Sequence, residues 1–131
     1  MKKPESRGQS ILEFALTLPI FLAIVVGVVD VGHAVAARSL LANCAREGAR
    51  SAIFPQTADA TVISAVNSQA LFLGTIPSSD ISISPTTTSA RVSGTTVTVT
   101  VTYRFSPITP LAREAMGSLL TMTSNSTMAI E

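Results

Sequence analysis

The stretch RGQSILEFALTLPIFLAIVVGVVD, residues 7–30, decides how the rest of the chain is arranged. It contains no charged residue from Phe14 to Val29, and Ile11 and Leu12 extend the apolar run beyond Glu13 to about 19 residues. A helix needs about 20 residues, at roughly 1.5 Å each, to cross the hydrocarbon layer of a bilayer. The pattern therefore predicts a transmembrane helix over residues 9–30, with the lipid bilayer as a partner.

The composition limits what the chain can do. Of its 131 residues, 47% are apolar and 13% are charged, whereas ordinary soluble domains contain about 25% charged residues. A formal net charge of +1 without a concentrated basic face argues against nucleic-acid binding. One cysteine and one histidine cannot build a metal cluster. The acidic residues are scattered, and the sequence shows no nucleophile paired with a base. We expect no cofactor, no small-molecule substrate and no enzymatic activity.

The charges in front of the apolar run predict the orientation of the helix. Lys2, Lys3 and Arg7 outnumber the one acid there, Glu5. By the positive-inside rule, the basic leader over residues 1–8 stays in the cytoplasm, and the chain after the helix enters the periplasm. This predicts a single-pass protein of the inner membrane. A removable secretory signal with a small-residue site at HAVAA is the alternative, but the apolar run exceeds the usual length of about 7–15 residues.

Glu13 lies at the front edge of the apolar run, where a charge in hydrocarbon costs free energy. A cut between Gly8 and Gln9 would create a new α-amino group four residues before Glu13. At that helical spacing, or between packed helices, the amine and the carboxylate neutralise each other and can fix the axial register between subunits. Further along, small residues recur every four positions and predict a face where helices approach closely in lipid: Ala15, Pro19, Ala23 and Gly27.

Beyond the membrane, the apolar spacing stays helical over residues 31–53, because no proline interrupts it before Pro55. Asp30 and His33 fall near the outer headgroup boundary, and we interpret them as polar side chains that reach water there. Cys44 is interpreted as a small packing residue, with intermolecular disulfide pairing as the alternative.

Residues 54–131 are expected to form a small periplasmic domain. Thr57 is a candidate cap for a second helix that ends near Phe72. Apolar and polar residues then alternate over residues 81–84, 95–105 and 121–130, which predicts three antiparallel strands. A short helix over residues 111–120 is expected before the last strand. The fold class is therefore α+β, with a long N-terminal helix, a second helix and a small sheet packed against helices.

Several residues, taken in order, resemble the TadE-like family of tight-adherence pilus assembly proteins. Gly8 followed five residues later by Glu13 looks like a type IV prepilin signal, and further marks lie along the same helix: Phe14, Pro19, Asp30, Gly32, and the block Ala45, Arg46, Glu47, Gly48, Ala49 and Arg50. The resemblance implies a minor pilin or pseudopilin, cut between Gly8 and Gln9 by a prepilin peptidase.

The same resemblance implies the partners. These are a sibling pseudopilin, the major pilin of a type IVb or Flp-like pilus, and an inner-membrane assembly platform. The expected role is structural, through helix packing during assembly of a pilus used in cell adhesion. A secreted or anchored periplasmic binding domain with an ordinary signal sequence is the alternative function.

Overall fold

The computed structural model describes residues 6–109, 113–114 and 120–131 of the chain. Its first element, α1 (Ser6–Ser51), is one helix of 46 residues. At about 1.5 Å per residue it is roughly 69 Å long, more than twice the thickness of a hydrocarbon layer. The long helix predicted from the sequence is confirmed, although it begins three residues before Gln9 and ends two residues before Ile53.

The second helix, α2 (Asp59–Gln69), is confirmed, but its ends differ from the prediction. The residue at its N-cap is Ala58, and the Thr57 hydroxyl donates to the Phe54 carbonyl instead. The helix stops before Phe72 because the Asn67 side chain holds the following loop. Its amide oxygen accepts the Ile76 N–H at 2.8 Å.

Three strands form one antiparallel sheet: β1 (Ile81–Ser84), β2 (Thr96–Phe105) and β3 (Leu120–Ala129). β2 lies in the middle, with Ile83 opposite Val99 on one side and Val99 opposite Ser126 on the other. Short 3-10 turns precede β1 (Ser78–Asp80) and follow it (Thr88–Ala90). The sheet predicted from alternating residues is therefore confirmed, and Gly94 turns the chain into β2 with φ of 85°.

The short helix expected over residues 111–120 lies mostly outside the described residues. Within that range the structure describes Arg113 and Glu114, which are helical, and Leu120, which is the first residue of β3.

The core forms where the inner face of the sheet and one side of α2 meet the C-terminal half of α1. Val97, Val99 and Val101 of β2 are fully buried, as the alternation of TVTVTVT predicted. They pack in one cluster with small residues of α1, with Val62 and Val66 of α2, and with both isoleucines of β1. Alanines on α1 let the sheet and α2 approach the helix axis closely, so this half of α1 is the centre of the domain.

Arg91 is a buried residue that the sequence pattern did not reveal. Its guanidinium donates to the carbonyl oxygens of Pro85 at 2.9–3.0 Å and Thr57 at 2.9 Å. It also forms an ion pair of 2.7 Å with the half-exposed carboxylate of Asp59. Buried charges require such partners, and here they fasten the loop before β2 to the start of α2.

Candidate functional site on the long helix

The lower half of α1 (residues 8–29) projects from the domain. Its large apolar side chains, between Ile11 and Val29, are 38–74% exposed. An 18-residue window of this helix reaches a mean hydropathy of 2.5 and is only 6% buried. Ordinary soluble monomers rarely expose an apolar surface of this size. The lower half is therefore a candidate membrane span, as expected for a membrane-anchored protein.

The residues of the predicted processing signal lie in the first turns of α1. The helix begins at Ser6, so the peptide bond between Gly8 and Gln9 lies in helical backbone. Gln9 and Glu13 are one turn apart and both exposed, and Phe14 beside them is exposed as well. Among the described residues, no ion pair is formed by the Glu13 carboxylate.

The small-residue face (Ala15, Pro19, Ala23 and Gly27) is exposed along its whole length. A Cβ atom built on Gly27 would meet nothing within 4 Å. At about 100° per residue, these positions lie on the same side of α1 as four buried residues of its upper half (residues 30–51). Those four are Ala37, Leu41, Ala45 and Gly48. The face that packs tightly inside the domain therefore continues, uncovered, through the lower half.

Asp30 marks the junction between the two halves. Its side chain is only 7% exposed. One carboxylate oxygen accepts the Ile108 N–H at 3.0 Å; the other accepts the Thr109 N–H at 3.4 Å and also the Thr109 hydroxyl. Beside it, the His33 and Phe105 rings lie 5.2 Å apart. The interpretation of Asp30 as a side chain reaching out to water is wrong, because it ties the end of β2 to α1.

The family-like block does not form one site. Gly48 faces the core, where an added Cβ would lie 2.6 Å from a Val66 methyl and 3.1 Å from a Val99 methyl. Arg46 and Arg50 are exposed, and Arg50 approaches Glu47 at 3.8 Å in a surface ion pair. A Cβ on Gly32 would meet nothing within 4 Å. Gly48 is therefore a close-packing position, a role that spacing alone did not reveal.

Cys44 is fully buried in the core, as expected for a small packing residue, and burial raises the pKa of its thiol. Its sulfur is not accessible to a second chain in this fold. Within the described ranges, no three His, Cys, Asp or Glu side chains lie close enough together to hold a metal ion.

The comparisons with known proteins point to the same helix. No curated protein and no solved structure matches the chain significantly. A protein-family model described as TadE-like protein matches residues 8–50, which is almost the whole of α1. The match covers the exposed lower half, the junction at Asp30 and the packing position at Gly48. Over residues 8–50, about a third of the chain, the sequence is similar to the TadE-like family, in agreement with the resemblance that its motifs indicate.

Proposed function

We propose that this protein is a membrane-anchored minor pilin or pseudopilin that takes part in assembling a tight-adherence pilus of the type IVb or Flp-like kind. One observation carries the proposal. The packing face of α1 is covered by the domain only in its upper half, whereas the same face is empty in the lower half, within a segment that matches the TadE-like family. Such a helix fits a role in which lipid and other subunits cover it.

The proposed location is the inner membrane, with the basic leader in the cytoplasm and the domain in the periplasm. Lys2, Lys3 and Arg7 before the apolar run support this orientation. Asp30 supports the position of the outer boundary, because the domain begins at that residue. The proposed work of the protein is structural and non-enzymatic.

Glu13 is proposed to set the register between neighbouring helices. After a prepilin peptidase cut at Gly8, the α-amino group of Gln9 would lie one helical turn from the exposed Glu13 carboxylate. In a medium of low dielectric constant an unpaired carboxylate is costly, so a neighbouring amine is strongly favoured as a partner. The peptidase would have to unwind the first turn of α1, since Gly8 and Gln9 are helical in the uncut chain.

The position of the small-residue face restricts how a neighbour can pack. It lies on the same side of α1 as the domain. A second subunit using the same face at the same height would bring both domains into collision. A neighbour displaced along the axis would instead place its helix beneath this domain. Sibling pseudopilins, the major pilin and the assembly platform are the proposed partners for such staggered contacts.

The N-terminal residue of the mature protein tests the proposal most directly. We expect the mature chain, purified from membranes and sequenced from its N-terminus, to begin at Gln9. A chain that begins at Met1 would keep the anchor but contradict the role given to the new amine. A start near Val35 would show a removed secretory signal, which would contradict the proposed function altogether.

Variants of Glu13 test the register role. Glu13→Gln removes the charge and keeps the size, whereas Glu13→Asp keeps the charge and serves as the matched control. We expect Glu13→Gln to reduce the number of assembled pili while the protein still enters the membrane, and Glu13→Asp to retain more assembly. Equal pilus numbers in the wild type and both variants would contradict the register role.

A further inference from the structure

We propose that the domain rests on the outer surface of the membrane through an apolar collar, defined as Leu71, Phe72 and Ile108 together with Val31 and Val35 of α1. The occupant that fits this collar is the headgroup interface of the bilayer. This inference rests on the membrane anchoring in the proposed function, and it adds a second, peripheral contact between the domain and the lipid.

The collar residues are among the most exposed apolar side chains of the domain and the adjoining part of α1. Leu71 is 79% exposed, Phe72 is 81% and Ile108 is 58%, on two separate loops. Val31 and Val35 on α1 are 65% and 64% exposed. The sequence predicts a second helix that ends near Phe72, but α2 ends at Gln69, so Leu71 and Phe72 lie beyond it.

Both loops lie at the end of the domain that faces the lower half of α1. Phe72 lines a surface groove with the α1 residues His33, Ala36 and Leu40. The backbone of Ile108 binds Asp30, the residue at the junction. Six to seven residues of α1 separate Asp30 from the middle of that groove, which corresponds to about 10 Å along the axis.

This height exceeds the thickness of the headgroup region by only a few ångströms. The headgroup region adds about 5–8 Å to each side of the hydrocarbon. A tilt of about 20°, common for membrane helices, would bring one side of the domain closer still. Asp30 does not prevent the approach, because its carboxylate is already satisfied by the loop at Ile108 and Thr109.

The arrangement around the helix favours lipid over a protein partner. Phe72 lies beside one side of α1, and Ile108 lies against Asp30. Val31 and Val35 are about 100° and 140° further round from Asp30. A single protein partner would cover one side, whereas a bilayer surrounds the helix at one level.

An exposed basic residue at the same end supports this assignment. The Arg113 guanidinium donates to the Pro107 carbonyl at 3.2–3.3 Å, which places it beside Ile108. Arginine near the membrane boundary can extend its charged group to lipid phosphates while its stem covers apolar surface.

Tryptophan fluorescence can test the collar in the full-length protein, because the wild-type chain contains no tryptophan. Three single-tryptophan variants are compared in phosphatidylethanolamine and phosphatidylglycerol vesicles, with and without bromine on the acyl chains. Phe72→Trp reports on the collar. Phe54→Trp is the matched control, since Phe54 is 63% exposed but follows the far end of α1. Leu16→Trp reports on the lower half.

We expect brominated lipid to quench Leu16→Trp most strongly. Phe72→Trp should be quenched about half as strongly as Leu16→Trp, because an interfacial position lies farther from the acyl chains. Phe54→Trp should not be quenched. Acrylamide in the water should quench the variants in the opposite order. Quenching of Leu16→Trp alone would overturn the collar and leave the anchor intact. No quenching of Leu16→Trp would overturn the anchor, and the collar with it.

A protein partner would give a different result. If a second copy covered the collar, the emission of Phe72→Trp would shift to the blue with rising protein density in the vesicles, without quenching by brominated lipid. That result would overturn the proposal. Since Phe72 is 81% exposed, its replacement leaves the core untouched, and a failed experiment cannot be attributed to unfolding.

Discussion

The two halves of α1 belong to one uninterrupted helix, yet they are stabilised in different ways. In the upper half, Ala37, Leu41, Ala45 and Gly48 are buried beneath α2 and the sheet. In the lower half, the equivalent small-residue face is bare, and large apolar residues surround it. The upper half packs against other parts of the same chain, whereas the lower half needs lipid or other chains to cover it. Asp30 lies at the boundary between the half that is packed by the domain and the half that is exposed.

A continuous helical pattern therefore does not define a functional unit. Small residues favour close approach in both halves, but only the domain decides where that approach is already satisfied. Substitutions in the upper half should therefore change the stability of the single chain. Substitutions in the lower half should change the association between chains during assembly.

One of the two largest effects on the fold is expected at Gly48. Gly48→Ala would place a Cβ 2.6 Å from a methyl of Val66, a branched and buried side chain that cannot swing away. We expect a loss of about 1–3 kcal/mol in the free energy of unfolding from overpacking. The measurement is urea denaturation in detergent micelles, followed by circular dichroism.

Gly32→Ala is the matched control, because a Cβ there meets nothing within 4 Å. It should be neutral, or stabilise the helix by up to about 1 kcal/mol through propensity. Equal effects at both positions would show that α2 and the sheet do not pack against α1 as described.

The second effect is expected at the junction. Asp30→Ala leaves the N–H groups of Ile108 and Thr109 without the carboxylate that they bind. Hydrogen bonds to a charged group contribute about 1.5–3 kcal/mol, so we expect a loss of that size. Trypsin should also cleave faster after Arg113, since the loop is released. Both effects are measured on the purified chain in micelles.

Glu47→Ala is the control for this substitution. Glu47 lies 3.8 Å from the exposed Arg50, and surface pairs contribute about 0.2–1 kcal/mol. If Asp30→Ala cost no more than Glu47→Ala, the contacts of Asp30 would not stabilise the fold.

The sequence predicted the elements whose pattern is local. The apolar periodicity of α1 and the alternation of Val97, Val99 and Val101 follow from burial on one face, so their types and approximate ends were correct. The two marks that were misread or left without a physical reason, Asp30 and Gly48, depend on contacts across long stretches of chain. Asp30 meets a loop 78 residues away.

Arg91 shows the same limit. Nothing in its neighbourhood in the sequence distinguishes it from an exposed arginine, because its partners at Thr57 and Asp59 are more than thirty residues distant. The end of α2 was mispredicted for a related reason. The turn that ends α2 is held by Asn67 and Ile76, and this contact has no helical period that could be recognised.

A smaller effect is expected from pH in the upper half. Burial raises the pKa of the Cys44 thiol above its value in the unfolded chain. The folded state therefore favours the protonated thiol, and the contribution of Cys44 to stability is complete below the ordinary thiol pKa of about 8.5. As pH rises from there toward the folded pKa, stability should fall by at most about 1.4 kcal/mol per pH unit.

The pH effect is measured as the free energy of unfolding at neutral and alkaline pH, for the wild type and for Cys44→Ala. The variant should lack this part of the alkaline decline, because the other titrating groups are the same in both chains. Identical pH slopes would show that the Cys44 thiol is not shielded from water.

The smallest effect on the fold is expected in the lower half. Ala23→Leu enlarges a residue on the small-residue face, where the side chain is exposed. The stability of the domain should change by less than about 0.5 kcal/mol, since such a position has no core contact to lose. Association between helices should nevertheless weaken, because a larger side chain keeps helix backbones apart in lipid.

Val25→Leu is the control for this last change, since Val25 lies about 200° round the helix from Ala23 and is large already. Association is measured by energy transfer between labelled chains in vesicles, either of this protein or of this protein and a pilin. A drop for Ala23→Leu and not for Val25→Leu would identify the empty face as the contact. Equal association would place the contact elsewhere on α1, and a large loss of domain stability would contradict the separation of the two halves at Asp30.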